Sequence, residues 1–272
     1  MVKKTISFCF ILVCFFSCEK VTYYPDNQIV YAPTIDIAHR GGRTDSTREN
    51  TIQAVINALP YVGGIEVDVQ LSKSRTVWLS HDYKVEDCNG PQYCFSQTYD
   101  AQIEAVSSCN GINMGYSKFE EVLQYMAQNN IRKYISIDLK GWLPCDGTAL
   151  DVEGIMKVEA EEIIRLGKKY NLSAFLLFES ENISILNWIR AKDRNVQTYY
   201  TSYGDYEKGL LVALDNGFSG ISYKSFFNDV LDADKIKLLH KKGLRLNAWN
   251  IPDSAHADFL REINADFIQI DL

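Results

Sequence analysis

The sequence predicts a single α/β domain, a (β/α)8 TIM barrel, on three observations. Eight short apolar runs of strand character alternate with amphipathic stretches of helical period along the 272-residue chain. Several helical stretches stop at glycine, as at Asn216-Gly217 and Lys242-Gly243, where a left-handed residue closes a helix before the next strand. The length also suits the roughly 250 residues that such barrels need. A doubly wound open sheet is the weaker alternative.

In order, strands are expected over Ile35–His39, Ile65–Leu71, Tyr134–Leu139, Ala174–Phe178, Val196–Tyr200, Gly220–Tyr223, Arg245–Trp249 and Phe267–Ile270. Helices are expected between them over Thr51–Leu59, Phe119–Asn129, Val152–Lys169, Ser184–Ala191, Tyr206–Asn216, Ala233–Lys242 and Ser254–Ile263. No clear eighth helix follows the last strand. The one long loop insertion follows the second strand and a strand-like run over Thr76–Ser80; it covers residues 83–116 and, at that length, is expected to serve the barrel mouth.

Composition narrows the function. Apolar residues make up 46% and charged residues 23% of the chain, which excludes disorder and a polytopic membrane protein. Acidic residues outnumber basic ones 35 to 28, without the basic footprint of a nucleic-acid binder. Residues 1–17 read as a signal peptide: Lys3 and Lys4 precede an apolar run over Ile6–Phe16 that is too short to span a bilayer. Ser17-Cys18 resembles a lipoprotein cleavage box, so Cys18 would be lipidated and residues 18–34 would form an N-terminal arm ahead of the barrel domain, 35–272. The expected location is the bacterial cell envelope, on the periplasmic or surface side, with the lipid anchor as the only membrane contact. Four cysteines remain in the mature chain, Cys88, Cys94, Cys109 and Cys145. In an oxidising compartment an even set suits two disulfides, and the turn-like composition between Cys88 and Cys94 favours that pair, leaving Cys109 with Cys145. Their spacings do not suit zinc.

Charged residues on barrel strands are the informative exceptions to an apolar pattern. The first strand ends in His39-Arg40-Gly41-Gly42. The second carries Glu66 and Asp68 on one face, with His81-Asp82 after the following strand-like run, and the third carries Asp138 and Lys140. Strand ends converge at one mouth of a barrel, so three carboxylates would meet there. Their mutual repulsion points to one divalent cation among them, Ca²⁺ or Mg²⁺ given all-oxygen ligands. His39 and His81 would then exchange protons, while Arg40 and Lys140 hold a phosphate. His240, in the last turn of a helix, reads as structural, and His256 as a helix-surface residue. Trp249 ends a strand, where its ring either packs in the barrel or faces substrate.

At these residues the chain resembles the glycerophosphodiester phosphodiesterase family, within the phospholipase-C-like phosphodiesterases. The matching pieces are AHRGG with REN-T (38–42, 48–51), GIEVDV with LSHD (64–69, 79–82), ISIDLK (135–140) and GLRLNAWNIPD (243–253). The resemblance implies metal-dependent hydrolysis of a glycerophosphodiester to glycerol phosphate and an alcohol. It also implies His39 and His81 as the catalytic pair, Glu66 and Asp68 as metal ligands, Arg40 and Lys140 at the phosphate, and Glu49 near the metal. Asp82 is a further residue expected behind the site or at the substrate. The third ligand position is usually Glu and here is Asp138; the related sphingomyelinase D group also has Asp before its Lys. The alternatives are therefore a lipid-head phosphodiesterase of sphingomyelinase D or phosphatidylinositol phospholipase C type, which an apolar rim would favour, and a non-catalytic barrel that binds a phosphorylated ligand. The partner expected in each case is a small-molecule phosphodiester, with no nucleic acid.

Overall fold

The computed structural model describes residues 32–43, 47–87, 90–106, 108–109, 112–113, 115–140, 151–225 and 231–272. The expected leader, Cys18 and the arm up to residue 31 lie outside the described residues, as do Cys88 and Cys145.

Eight parallel strands form the barrel: β1 (Ile35–Ala38), β2 (Gly64–Leu71), β3 (Tyr134–Asp138), β4 (Leu176–Ser180), β5 (Gln197–Ser202), β6 (Gly220–Lys224), β7 (Arg245–Trp249) and β8 (Phe267–Ile270). Each pairs with its neighbours in sequence order, and β1 closes the ring by pairing with both β8 and β2. Among the described residues, the longer helices of the crossovers are α1 (Ile52–Ala58), α2 (Phe119–Gln128), α3 (Val152–Lys169), α4 (Ile183–Lys192), α5 (Tyr206–Asn216), α6 (Ala233–Lys241) and α7 (Ser254–Glu262). Thr51, Asp151, Asn182, Asp205, Asp232 and Asp253 cap α1 and α3 to α7, each side chain accepting a backbone N–H three residues on. Gly217 closes α5 at φ +62°, as the Asn-Gly signal predicted. Among the described residues no helix is long and apolar enough to cross a membrane.

Strands covered on both faces are buried throughout; all eight residues of β2 are. Outward side chains such as Val67 join Val55, Leu123, Ile163 and Leu186 of the helices in the main core. Inside the ring a smaller apolar cluster of Ile37, Leu177, Tyr199 and Phe267 forms a floor, with Tyr134 and Tyr199 edge-on to Phe267 at 5.0 and 6.2 Å. Two residues further along the same strands come His39, Glu179, Thr201 and Gln269, so the interior turns polar towards the mouth.

Two expected strands need correction. The fourth begins two residues later than Ala174, because Ser173–Phe175 makes a 3-10 turn, and therefore runs on through Glu179 and Ser180. The first stops at Ala38, and His39–Gly41 forms a turn of its own. The strand-like run over Thr76–Ser80 is a strand over Val77–Leu79, antiparallel to the end of β2. The insertion that follows has local structure: Lys84–Asp87 pairs with Gly90–Cys94, and a short helix spans Asp100–Glu104. Trp78, Val85, Phe95 and Ile103 give it a separate apolar cluster. Asp100 ties it to β2, accepting from Ser72 Oγ at 2.6 Å, Thr76 Oγ1 at 2.5 Å and Trp78 Nε1 at 3.1 Å. Cys94 is disulfide-bonded.

The turn after β1 depends on glycine. Gly41 sits at φ +72°, and a Cβ there would lie 2.9 Å from Val55 Cγ2 on α1. Gly41→Ala should therefore cost about 2 kcal/mol of stability, from the left-handed backbone and the contact together, as read from urea unfolding midpoints.

Candidate active site

A cavity of about 210 Å³ opens at the carboxyl ends of the strands. Its wall on β1 to β3 begins with the turn after β1. Arg40 is held at φ 52° because its backbone N–H donates to Glu66 Oε2 at 2.7 Å and its carbonyl accepts from Asn50 N at 2.7 Å. The Arg40 guanidinium donates through Nη1 to Glu49 Oε1 at 2.7 Å, and its Nε lies 3.4 Å from Asp68 Oδ2. Asn50 locks the next strand to this turn: its Nδ2 donates to Asp68 Oδ2 at 2.9 Å, and its Oδ1 accepts from Asp68 N at 3.1 Å.

Glu66 and Asp68 share the inner face of β2, and Asp68 pairs in register with Asp138 of β3, which pairs in turn with Glu179 of β4. Lys140 places its ammonium between the two aspartates, 2.7 Å from Asp68 Oδ1 and in close contact with Asp138 Oδ2. His39 Nδ1 lies 2.8 Å from Asp271 Oδ1, and its Nε2 points inward, 4.0 Å from Glu66 Oε2. His81 is arranged alike, with Nδ1 2.9 Å from Asp82 Oδ1. A carboxylate on Nδ1 favours the proton on that nitrogen and leaves the Nε2 lone pair for chemistry.

The cavity is short of positive charge. Burial, then repulsion from Asp68 and Asp138, holds the Glu66 carboxyl well above the usual range. Asp138 is also raised, by burial opposed by Lys140. Asp68 goes the other way: burial would raise it, but Lys140, His81 and Arg40 together pull it below its ordinary value. The Lys140 ammonium is firmly protonated, since Asp138 and Asp68 outweigh the cost of its burial. Two further carboxyls lie inside the protein. Burial pushes Glu179 up to about 7 against hydrogen bonds from Ser136 and Ser222, and it pushes Glu159 of α3 up to about 8, with Asp138 adding to the shift.

His39, Arg40, Glu66, Asp68, His81, Asp138, Lys140 and Trp249 all line this one cavity; Glu49 bonds Arg40 and Asp82 lies against His81. Trp249 meets Tyr203 edge-on at 5.7 Å, with Lys224 Nζ 5.3 Å from its ring centre. No described residue of the 83–116 insertion lines the cavity, contrary to its expected place at the mouth. His240 is structural, 2.8 Å from Asp266, and His256 Nε2 lies 3.1 Å from Ser225 Oγ. Sequence reasoning missed Glu179, Asn50, Tyr203 and Asp271. The signal for Glu179 and Asp271 was the one that found Asp138: an acidic residue at the end of an apolar run. Among the described residues, no three His, Cys, Asp or Glu side chains stand arranged so that they could hold a metal ion. The Lys140 ammonium occupies the space between two of the three expected ligands.

Comparison with known proteins agrees with this geometry. A model of the glycerophosphoryl diester phosphodiesterase family matches residues 39–271. No curated protein matches the chain. Among solved structures, a glycerophosphodiester phosphodiesterase from Parabacteroides distasonis is similar at 18% identity and TM-score 0.68, over 89% of this chain and 94% of its own. One from Thermotoga maritima has 19% identity and TM-score 0.65, over 88% and 95%. A phosphodiesterase from Oleispira antarctica, in complex with the product sn-glycerol-3-phosphate, has 19% identity and TM-score 0.69, over 87% and 92%. At these identities the likeness shows the barrel fold.

Glu159 gives a pH test of the buried charge. Its carboxyl is raised from an ordinary 4.5 to about 8, so the folded chain keeps a proton that the unfolded chain releases. The stabilising contribution is complete below pH 4.5 and is lost as pH rises to about 8. Glu159→Gln should remove that slope. Relative to the parent, it should gain on the order of 3 kcal/mol between pH 4.5 and 8.5 in urea unfolding.

Proposed function

The chain belongs to the glycerophosphoryl diester phosphodiesterase family and is a phosphoric diester hydrolase, and on that premise we propose that it hydrolyses glycerophosphodiesters to glycerol phosphate and an alcohol, using His39 and His81 and one divalent cation. The observation that carries this reading is the pair of imidazoles, each with Nδ1 against an aspartate, beside a cavity that also holds Glu66, Asp68, Asp138, Arg40 and Lys140. The glycerol phosphate bound to the Oleispira phosphodiesterase supports the same product here.

Glu66, Asp68 and Asp138 would hold Ca²⁺ or Mg²⁺. The donors are all oxygen, and the raised Glu66 marks a surplus of negative charge that a dication would relieve. When bound, the cation would supply positive charge to the phosphate oxygens. Arg40 and Lys140 would donate to the same oxygens. His39 Nε2 then takes the proton of the nucleophile as the new P–O bond forms; the nucleophile is water, giving glycerol phosphate directly, or the glycerol hydroxyl, giving a cyclic phosphate that water then opens. His81 gives a proton to the alcohol oxygen as the old P–O bond breaks. Asp271 orients the His39 ring with Nε2 free to accept, and Asp82 orients the His81 ring, which carries a proton on both nitrogens when it acts as the acid.

The leader sequence and Cys18 support an exported lipoprotein of the cell envelope, with the lipid anchor as its membrane contact. The four mature cysteines support disulfides between Cys88 and Cys94 and between Cys109 and Cys145.

Two measurements test the reading. Chelation should abolish turnover of a glycerophosphodiester, with recovery on adding Ca²⁺ or Mg²⁺; full activity in excess chelator would remove the metal. His81→Ala should lose about a hundredfold or more on an alkyl diester and far less on a nitrophenyl diester, whose leaving group needs no proton, whereas His39→Ala should harm both alike. Equal losses from both variants on both substrates would overturn the assignment of acid and base.

A further inference from the structure

Glu179 has no place in the proton transfers, yet it is buried in the cavity floor and accepts four side-chain hydrogen bonds. The donors are Ser136 Oγ of β3, Ser222 Oγ of β6, Asn247 Nδ2 of β7 at 2.9 Å and Gln269 Nε2 of β8 at 2.8 Å. One carboxylate on β4 thus reaches four other strands across the barrel. Three of the donors converge on Oε1 and Ser222 Oγ alone donates to Oε2; a carboxylate suits this set because neither of its oxygens carries a hydrogen, whereas an amide would put an N–H at one of the two positions.

The position of those donors gives the brace a second meaning. Side chains two residues apart on a strand share a face, so three of the four donors stand directly below residues at the mouth. Ser136 lies below Asp138, Asn247 below Trp249 and Gln269 below Asp271, the partner of His39. The β4 backbone holds the same region: Leu139 N donates to Glu179 O at 2.9 Å, and Ser180 Oγ donates to Leu139 O at 2.8 Å, fixing the residue between Asp138 and Lys140.

We propose that Glu179 is a positioning residue for the phosphodiesterase reaction, a central brace that sets the placement of Asp138 and, through β8, of the Asp271–His39 pair. The inference rests on the function proposed above for His39 and Asp138. It differs from a general role in stability because the ties run to particular strands, and His240, bonded to Asp266 at the opposite end of β8, lies outside the brace.

The test compares the full-length parent with Glu179→Gln, which keeps the shape of the side chain and removes two acceptor sites. Ring-nitrogen spectra of the four histidines report placement without reference to activity. The brace requires His39 signals to move while those of His240 stay, and kcat on glycerophosphocholine to fall about tenfold or more with KM within about twofold, since a small misplacement of reacting groups harms the chemical step more than binding. Unmoved His39 signals in a folded variant, or equal displacement of His39 and His240, would overturn it. If Glu179→Gln does not fold, Gln269→Met removes only the tie to β8 and should still move His39; unchanged His39 signals there would likewise overturn the proposal. Should the parent turn over no glycerophosphodiester, the functional reading fails, while the ring-nitrogen comparison still decides the brace.

Discussion

Glu66, Asp68 and Asp138 stand on neighbouring strands, and carboxylates so placed repel one another strongly once water is excluded. Much of the local structure follows from that crowding. Lys140 is drawn between two of them, and the Arg40 guanidinium lies against Asp68 while bonding Glu49. Asn50 satisfies Asp68 from the side, and the backbone of Arg40 satisfies Glu66. The left-handed turn after β1 is the geometry that brings Arg40 N–H to Glu66 while leaving the His39 ring at the cavity. An anionic diester entering this cavity meets cations already engaged by carboxylates, and the proposal of a divalent cation rests on that shortage of free positive charge.

The barrel divides its labour between layers. The apolar contacts between strands and helices carry the hydrophobic stability, together with the small floor around Phe267. The interior above that floor is polar, and burying such groups costs least where they are hydrogen-bonded. Glu179 with its four donors meets that condition. The described residues of the 83–116 insertion pack around Trp78 and Phe95, Asp100 bonds Ser72, Thr76 and Trp78, and none of them lines the cavity.

The legible part of the sequence was whatever broke a strand pattern in short range. Glu66 and Asp68 show by their spacing of two, and Asp138 and Lys140 by their place after an apolar run. His39 and Arg40 show through the paired glycines that follow them. Residues that matter through long-range contact did not show. Asp271 becomes a partner of His39 only because β8 lies against β1. Asn50 looks like a loop residue until its side chain spans two bonds to Asp68. Glu159 sits in an ordinary helical pattern, where nothing local reveals that burial leaves its carboxyl raised to about 8. Glu179 was obscured by placing its strand two residues early, since no local signal distinguishes the 3-10 turn at Ser173–Phe175 from the start of a strand.

The His39–Asp271 pair joins residues 232 apart in the chain, across the seam where the last strand meets the first. On the far side of β1, the pairing with β2 comprises only Ile37 with Gly64 and Ala38 with Ile65. Closing such a seam brings together distant segments after most local structure has formed, and non-local closure of this sort is slow. A chain partway through synthesis, or clipped ahead of β8, can hold the three crowded carboxylates and both imidazoles yet lack the aspartate that orients the first ring. On the roles proposed for His39 and Asp271, closure of this seam therefore bears on the site as well as on the fold.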